Sequence, residues 1–130
     1  MKTIRAEIEQ HMTEPMQESG TLTSRFSFPP GFIGFQGHFP EKKILPGVCQ
    51  IQCVLSLIER AAGKPVVLKE VVLAKYFVPV FPDEELSCVV SGVSDASDAF
   101  ICKANITKGG VKVSELKLKV MYSKGEQRPA

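Results

Sequence analysis

The sequence lacks the features that identify several large classes of protein. No apolar run approaches the length of about 20 residues that a membrane-spanning helix needs, and the N-terminus, MKTIRAEIEQ, has no apolar core of the signal-peptide kind. The chain also contains no phosphate-binding loop, no Gly-x-Ser-x-Gly elbow and no His-Glu-x-x-His pair. These absences remove several enzyme classes, and they predict a cytoplasmic protein that does not span a membrane.

A large excess of charge of either sign is missing as well. The chain has 16 Lys and Arg residues against 14 Asp and Glu residues, which gives a net charge of +2. Nucleic-acid-binding domains concentrate Lys and Arg on one face and usually carry a recognisable module, and the sequence shows neither. We therefore predict no nucleic-acid partner.

The cysteines do not have the spacing of a metal site. There is no Cys-x-x-Cys pair, and Cys49 and Cys53 are separated by one helical turn with no histidine nearby. Free cysteine is usually buried as a small apolar residue. We predict no metal site and four buried thiols in a reducing compartment, which are Cys49, Cys53, Cys88 and Cys102.

The remaining composition is that of a small globular protein. With 130 residues, of which 44% are hydrophobic and 23% charged, the chain fits one domain over residues 1–130. Its tail, about residues 124–130, is expected to be disordered. A domain of this size buries a limited fraction of its surface, so we expect self-association to contribute to its stability.

Hydrophobic periodicity divides the first half of the chain into strands, a loop and a helix. Apolar and polar residues alternate over residues 4–8 and 22–28, which predicts two antiparallel strands. Prolines and glycines between residues 29 and 45 predict a structured loop. From Pro46 to Gly63 apolar residues recur at helical spacing, which predicts a largely buried helix. Its narrower polar strip consists of Gln52, Ser56, Glu59 and Arg60.

Only strand-like segments follow this helix, over residues 66–78, 86–93, 100–107 and 111–122. Residues 108–110, Lys-Gly-Gly, predict a hairpin between the last two segments. A change in the phase of alternation predicts a β-bulge near Ser114 and Glu115. The order of the elements predicts an α+β fold in which one helix lies against a single curved, mostly antiparallel sheet.

Three short segments carry a resemblance to a known family. Residues 35–40 read FQGHFP, residues 45–48 read LPGV and open the predicted helix, and residues 74–82 read AKYFVPVFP. Together they resemble the signature of the 3-hydroxyacyl-acyl-carrier-protein dehydratases, over roughly residues 21–122. The resemblance implies the hotdog fold, a bent antiparallel sheet wrapped around one central helix. It also implies two protomers whose sheets join edge to edge, with active sites at the interface.

The resemblance implies a catalytic role for His38. In the family, this histidine removes the proton α to the thioester, and an acidic residue on the helix of the other protomer protonates the departing 3-hydroxyl. Histidine suits the first step because its pKa lies near neutral pH. Backbone amides at the helix start, here those of Gly47 and Val48, would hold the thioester oxygen. Pro46 and Phe39 are the neighbouring substrate-binding residues that the resemblance implies.

Gln52 stands where the family has its acid. An amide does not ionise or give up a proton, and general acid–base catalysis typically contributes about 10²- to 10⁴-fold. Two carboxylates are possible replacements. Glu59 lies roughly 10 Å further along the helix axis, and Glu41 is expected to be a solvated loop residue. Neither replaces the acid convincingly, so Gln52 is left to orient a hydroxyl or a water.

Two functions remain open. The first is a hydro-lyase that interconverts 3-hydroxyacyl and 2-enoyl thioesters, with His38 as base and Gln52 orienting the hydroxyl. The second is a hotdog acyl thioesterase or a non-catalytic acyl-thioester-binding protein. Neither needs a cofactor of its own, because the resemblance implies a substrate carried on the phosphopantetheine of an acyl carrier protein or on coenzyme A.

The expected partners follow from the same resemblance. We expect a homodimer or a higher homo-oligomer. An acidic acyl carrier protein would meet basic residues near the motifs, although solvation explains those residues equally well; they are Lys42, Lys43 and Lys75. Four aromatic residues either line an acyl tunnel or belong to the core, namely Phe35, Phe39, Tyr76 and Phe77.

Overall fold

The structure, a computed structural model, describes residues 3–36 and 43–123. Its helices are α1 (Ile4–Gln10) and α2 (Gly47–Ala62), with a short 3-10 turn at Ile33–Phe35 between them. Its strands are β1 (Met16–Glu18), β2 (Thr21–Phe26), β3 (Val66–Tyr76), β4 (Leu86–Ser91), β5 (Ala99–Lys108) and β6 (Val111–Tyr122). They form one antiparallel sheet in the order β1-β2-β4-β5-β6-β3, and α2 packs against it. The predicted α+β fold is confirmed.

Helix α1 corrects one prediction, because residues 4–8 are helical and not a strand. Ile4 and Ile8 fit a period of two, and they also lie one helical turn apart. The Thr3 hydroxyl favours the helix, since its Oγ1 accepts a hydrogen bond from the Ala6 amide at 3.0 Å and caps the first turn. Ile8 is then fully buried, and α1 packs against α2. The second predicted strand is observed as β2.

Helix α2 forms where it was predicted. Pro46 occupies its N-cap, and Gly63 ends it with a φ of 73° while donating a hydrogen bond to the Glu59 carbonyl at 2.8 Å. Glycine is favoured there because the left-handed region is strained for other residues. One face of α2 is completely buried, and burying an apolar side chain of this size contributes about 1.5–3 kcal/mol. This face packs α2 against α1 and the sheet; it includes Cys53, Val54, Leu57 and Ile58.

All four cysteines are free and buried, as predicted. Burial raises the pKa of the Cys88 thiol to about 12 and that of the Cys49 thiol to about 11. Since the thiolate is the reactive form, these side chains act as core residues and not as nucleophiles.

The predicted hairpin and bulge are both present in β5 and β6. The turn at residues 109–110 has positive φ at both glycines. The pairing with β6 slips between Ile106 and Thr107, which leaves Val113 as an extra residue on β6. The bulge therefore lies one residue before its predicted position. It turns Val113 and its neighbour Ser114 into the interior together.

Strand β3 is an exposed edge of the sheet. Within the described part of the chain it pairs only with β6, and each residue from 69 to 76 is exposed. Several of these residues are apolar, including Val71, Val72 and Leu73. A long exposed apolar edge offers unpaired backbone groups to a further strand, and proteins usually cover such an edge.

Two sequence-based expectations concern the ends of the chain and its location. The tail predicted over residues 124–130 lies outside the described residues. Within residues 3–36 and 43–123, no helix has both the length and the apolar character that a membrane crossing requires.

Candidate active site

The first turn of α2 forms one wall of an open cleft of about 380 Å³. We call it the α2 cleft; it is lined by residues 44–47, Gln50 and residues 76–79. No side chain caps the helix, and none of the described residues accepts a hydrogen bond from the amides of Gly47 or Val48. These amides and the helix dipole favour negative charge at this end of the cleft. Pro46 and Gly47 line the cleft as expected, whereas the Val48 side chain is not part of its wall and is 72% exposed.

Tyr76 covers Gly47 in the α2 cleft. A Cβ atom on Gly47 would lie 2.6 Å from both Cζ and Oη of Tyr76, so the ring approaches as closely as only glycine allows. Partial burial raises the pKa of the Tyr76 phenol, which keeps its hydroxyl protonated at neutral pH. Tyr76 lines the cleft together with Phe77.

A buried hydrogen bond ties the α2 cleft to the sheet. Gln50 is only 3% exposed, and its Oε1 accepts a hydrogen bond from Ser114 Oγ at 2.7 Å. Ser114 is fully buried and lies directly opposite Tyr76 in the pairing of β3 with β6. A buried polar group left without a partner costs about 1–3 kcal/mol. The bond therefore holds α2, β6 and the end of β3 together at the inner wall of the cleft.

Gln52 lies on a different side of α2. Two residues turn a helix by about 200°, so the Gln52 side chain points away from that of Gln50, and it does not line the α2 cleft. Its Nε2 donates a hydrogen bond to Ser56 Oγ at 3.0 Å. Ser56, which was predicted to lie on a polar strip, is itself buried. Within one chain, Gln52 and the unpaired amides of the helix start do not face the same space.

Glu59 is engaged elsewhere, in agreement with the view that it does not replace the missing acid. Its Oε2 accepts a hydrogen bond from the Val66 amide at 2.8 Å, and its Oε1 forms an ion pair with Arg5. The carboxylate thus links the C-terminal half of α2 to β3 and to α1.

Several residues that the resemblance singles out lie outside the described residues, namely His38, Phe39, Glu41 and Lys42. Among the others, Lys43 Nζ donates a hydrogen bond to the Pro30 carbonyl at 3.0 Å. Phe35 is buried and packs edge to face against Phe32, with ring centres 5.6 Å apart. Phe35 is therefore part of the hydrophobic core, which was one of the two alternatives.

The outer face of the sheet, opposite α2, is rich in lysine. Lys103 on β5 lies opposite Lys117 on β6, and Lys75 on β3 lies opposite Glu115. The residues that alternate with these lysines along β5 and β6 are buried in the core. We call this surface the basic face; its lysines are Lys75, Lys103, Lys117 and Lys119.

The basic face continues to the rim of the α2 cleft through Lys112. This lysine forms an ion pair with Glu115, and its Nζ lies 5.7 Å from the centre of the Phe77 ring, which lines the cleft. The hydrogen bond from Lys112 lowers the pKa of Glu115, and the charges of Lys75 and Lys103 lower it further. Glu115 thus stays ionised among these lysines, and Glu70, which lies opposite Lys119, is a second carboxylate on the same face.

Sequence reasoning passed over Gln50 and Ser114. For Gln50 a signal was available, because it lies in phase with Val54 and Leu57 on the apolar face of α2. A polar residue at such a position is expected to be buried with a partner. For Ser114 no comparable signal exists, since it lies 64 residues from Gln50 along the chain and meets it only through the register of β6.

The chain is similar in sequence to dehydratases. A sequence model of the ApeI-like family, described as ApeI dehydratase, matches residues 14–115. The 3-hydroxyacyl-[acyl-carrier-protein] dehydratase FabZ of Brucella abortus is 31% identical in an alignment 103 residues long that covers 72% of this chain and 64% of that protein. The FabZ of Clostridium novyi is 31% identical in an alignment 99 residues long that covers 71% of this chain and 68% of that protein.

Solved structures share the fold. The dehydratase heterocomplex ApeI:P from Xenorhabdus doucetiae matches with a TM-score of 0.69 and 21% identity, over 85% of this chain and 94% of that chain. A hypothetical thioesterase protein with coenzyme A from Streptococcus pneumoniae matches with a TM-score of 0.69 and 10% identity, over 90% of this chain and 89% of that chain. At these identities the likeness establishes the hotdog fold and carries no conclusion about the reaction.

Proposed function

Because the chain belongs to the ApeI-like family of hotdog-fold dehydratase-like proteins, we propose that it is a hydro-lyase acting on 3-hydroxyacyl thioesters. The reaction interconverts 3-hydroxyacyl and 2-enoyl thioesters by loss or addition of water. The observation that carries the proposal is the start of α2, where amides that have no acceptor among the described residues meet an open cleft. Such amides suit a thioester oxygen that gains negative charge in the transition state.

Each proton in the elimination needs a path. His38 takes the proton from the α-carbon, and the resulting charge moves to the thioester oxygen, which the amides of Gly47 and Val48 stabilise. The bond between C3 and its oxygen then breaks. Since Gln52 has no proton to give, the protonated His38 returns its proton to the departing hydroxyl, which leaves as water. Gln52 orients that hydroxyl.

The active site is assembled from two copies of the chain. In one copy, Gln52 and the α2 cleft lie on different sides of α2, so one substrate cannot contact both. A second copy that adds its own β3 to the exposed β3 edge would cover the apolar residues of that edge. The second copy would also bring its own Gln52 to the α2 cleft of the first copy. A homodimer, or a higher oligomer built from such dimers, satisfies both requirements.

A non-identical partner would complete the site in a similar way. The relative from Xenorhabdus doucetiae is a dehydratase heterocomplex. A partner chain that carries a carboxyl at the position of Gln52 would supply the proton donor that this chain lacks. Mass measurement of the complex isolated from its native source distinguishes one kind of chain from two.

An acyl carrier protein is the carrier that the surface favours over coenzyme A. The basic face leads to the rim of the α2 cleft through Lys112, and a lysine-rich surface steers an acidic protein toward the cleft. Of the lysines expected to take part, Lys75 belongs to this face, whereas Lys43 is bonded to a loop carbonyl.

A second candidate function rests on Gln52 itself. Hydrolysis of a thioester needs polarising amides and a positioned water, and it does not need an acid at position 52. The chain would then be an acyl thioesterase or, if no water attacks, an acyl-thioester-binding protein.

One assay separates these functions. Purified protein is incubated with 3-hydroxyacyl and 2-enoyl thioesters of pantetheine, while enoyl absorbance and free thiol are followed together. A hydro-lyase changes the enoyl absorbance without releasing thiol, and release of thiol alone would contradict it. His38→Ala should abolish the change. His11→Ala is the matched control, because the side chain of this second histidine bonds to the Glu7 carbonyl on α1.

A further inference from the structure

We propose that Gln50 is a substrate-positioning residue whose Nε2 donates a hydrogen bond to the 3-oxygen of an acyl chain bound in the α2 cleft. This inference rests on the proposed function and adds to it. It gives a role to a side chain that none of the three family-like segments contains.

The carboxamide of Gln50 is held at one end only. Ser114 donates a hydrogen bond to Oε1 at 2.7 Å, so the oxygen end of the amide points toward β6 and the Nε2 end points the other way. Among residues 3–36 and 43–123, no group accepts a hydrogen bond from Nε2. No buried side-chain nitrogen or oxygen of the described residues lacks a hydrogen-bond partner, so Nε2 is the atom through which Gln50, only 3% exposed overall, remains accessible from the α2 cleft.

The position of Gln50 on α2 matches the spacing of the substrate. Gln50 follows Gly47 by three residues, so both lie on one side of the helix, and both line the α2 cleft. Gln50 lies about 4.5 Å beyond Gly47 along the axis, at 1.5 Å per residue, and the thioester oxygen would bind at the helix start before Gly47. The 3-oxygen is two carbons beyond the thioester carbonyl. Gln50 is therefore the first side chain on this side of α2 that can reach it.

Packing alone does not account for an amide at this position. The neighbouring residues of the same stripe, Val54 and Leu57, are apolar and fully buried. An apolar residue at position 50 with Ala at position 114 would fill the same space, since replacing both partners of a buried hydrogen bond by apolar groups costs little stability. The Tyr76 ring, opposite Ser114 in the sheet, forms the facing wall of the cleft.

Binding of two stable substrate analogues tests the proposal. We suggest pantetheine amides, with nitrogen in place of sulfur, of hexanoic acid and of 3-hydroxyhexanoic acid, because neither is readily hydrolysed or dehydrated. By calorimetry, the wild-type protein should bind the 3-hydroxy analogue about fivefold to tenfold more tightly, the value of one hydrogen bond. Gln50→Met keeps the length of the side chain and removes its donors. It should bind both analogues equally, with unchanged affinity for the hexanoyl analogue.

Two variants control for structural effects. Gln50→Met with Ser114→Ala leaves no buried hydroxyl without a partner, and it should show the same loss of preference if the single variant unfolds. Ser24→Ala removes another buried hydroxyl, which donates to the Thr13 carbonyl at 2.7 Å outside the cleft, and it should keep the preference. A preference retained in both Gln50 variants overturns the role of Gln50 and leaves the proposed function intact. Failure of the wild-type protein to bind either analogue overturns the proposed function and this inference together.

Discussion

Gln50 and Gln52 are the same type of residue, two positions apart on α2, and they have different environments. Gln50 is buried and bonded to Ser114 on β6 at the wall of the α2 cleft. Gln52 is partly exposed and bonded to Ser56 within its own helix. The inner side of α2 therefore serves the cleft of its own chain, whereas the outer side carries the residue at the family's acid position. This difference is the basis for our proposal that one helix contributes to two active sites.

The largest predicted effect concerns Gln52, on the outer side of α2. Gln52→Glu should raise the rate of hydration and dehydration by about 10²-fold or more, because a carboxyl supplies the proton that the leaving hydroxyl needs. The change of enoyl absorbance with time measures this rate. Gln52→Met is the matched control and should bring no gain. If Gln52→Glu folds normally and brings no gain either, the outer side of α2 does not face a substrate.

Gln50, on the inner side of α2, should contribute more to stability than Gln52. Gln50→Met should lower the free energy of unfolding by about 1–3 kcal/mol, because it leaves the buried Ser114 hydroxyl without its acceptor. Gln52→Met should change it by less than about 0.5 kcal/mol, since the Ser56 hydroxyl can turn to a backbone carbonyl one turn back. Urea unfolding at one fixed protein concentration measures both values. Equal losses would mean that the two sides of α2 are equivalent in the fold.

The basic face provides a contrast with both glutamines, because we propose that it binds the carrier and not the acyl group. Lys103→Glu combined with Lys117→Glu should lower kcat/KM for acyl-carrier-protein substrates by roughly tenfold at low salt, with the difference shrinking as salt rises. Turnover of the pantetheine thioester should not change. A similar loss with both substrates would instead indicate damage to the site itself.

The smallest predicted effect is at the helix start. Gly47→Ala forces the half-exposed Tyr76 ring away from the helix, and since the ring can rotate toward solvent, the free energy of unfolding should fall by less than about 1 kcal/mol. The pKa of the Tyr76 phenol should then fall toward its ordinary value, because the ring loses the burial that raises it. Absorbance titration in a Tyr122→Phe background follows this one phenol. An unchanged pKa would mean that the ring does not rest on Gly47.

The main elements were predictable from the sequence because their signals are local. Helix α2 has its proline and glycine at the two ends, and the hairpin has its glycines. Helix α1 was missed, because Ile4 and Ile8 fit two periods and only the cap at Thr3 distinguishes them. Local signals of this kind determine an element without reference to the rest of the chain.

The site was predictable only in part, because its contacts are not local. Motif position singled out Gln52, while the burial of Gln50 could have been inferred from its phase on α2. The bond from Ser114 to Gln50 depends on the register of β6 beyond the bulge at Val113, which no local pattern specifies. A site assembled from two chains would be harder still to predict, because a sequence pattern describes only one chain.

The central claim, that one active site uses two copies of the chain, is tested most directly by mixed oligomers. Wild-type chains supply the base, His38, whereas chains with His38→Ala and Gln52→Glu supply a carboxyl and no base. The wild-type protein alone should be slow and the double variant alone inactive. When the two are co-expressed with different tags and purified together, we predict interconversion about 10²-fold faster than that of the wild-type protein. A rate in the mixed oligomer no higher than the wild-type rate would contradict the account.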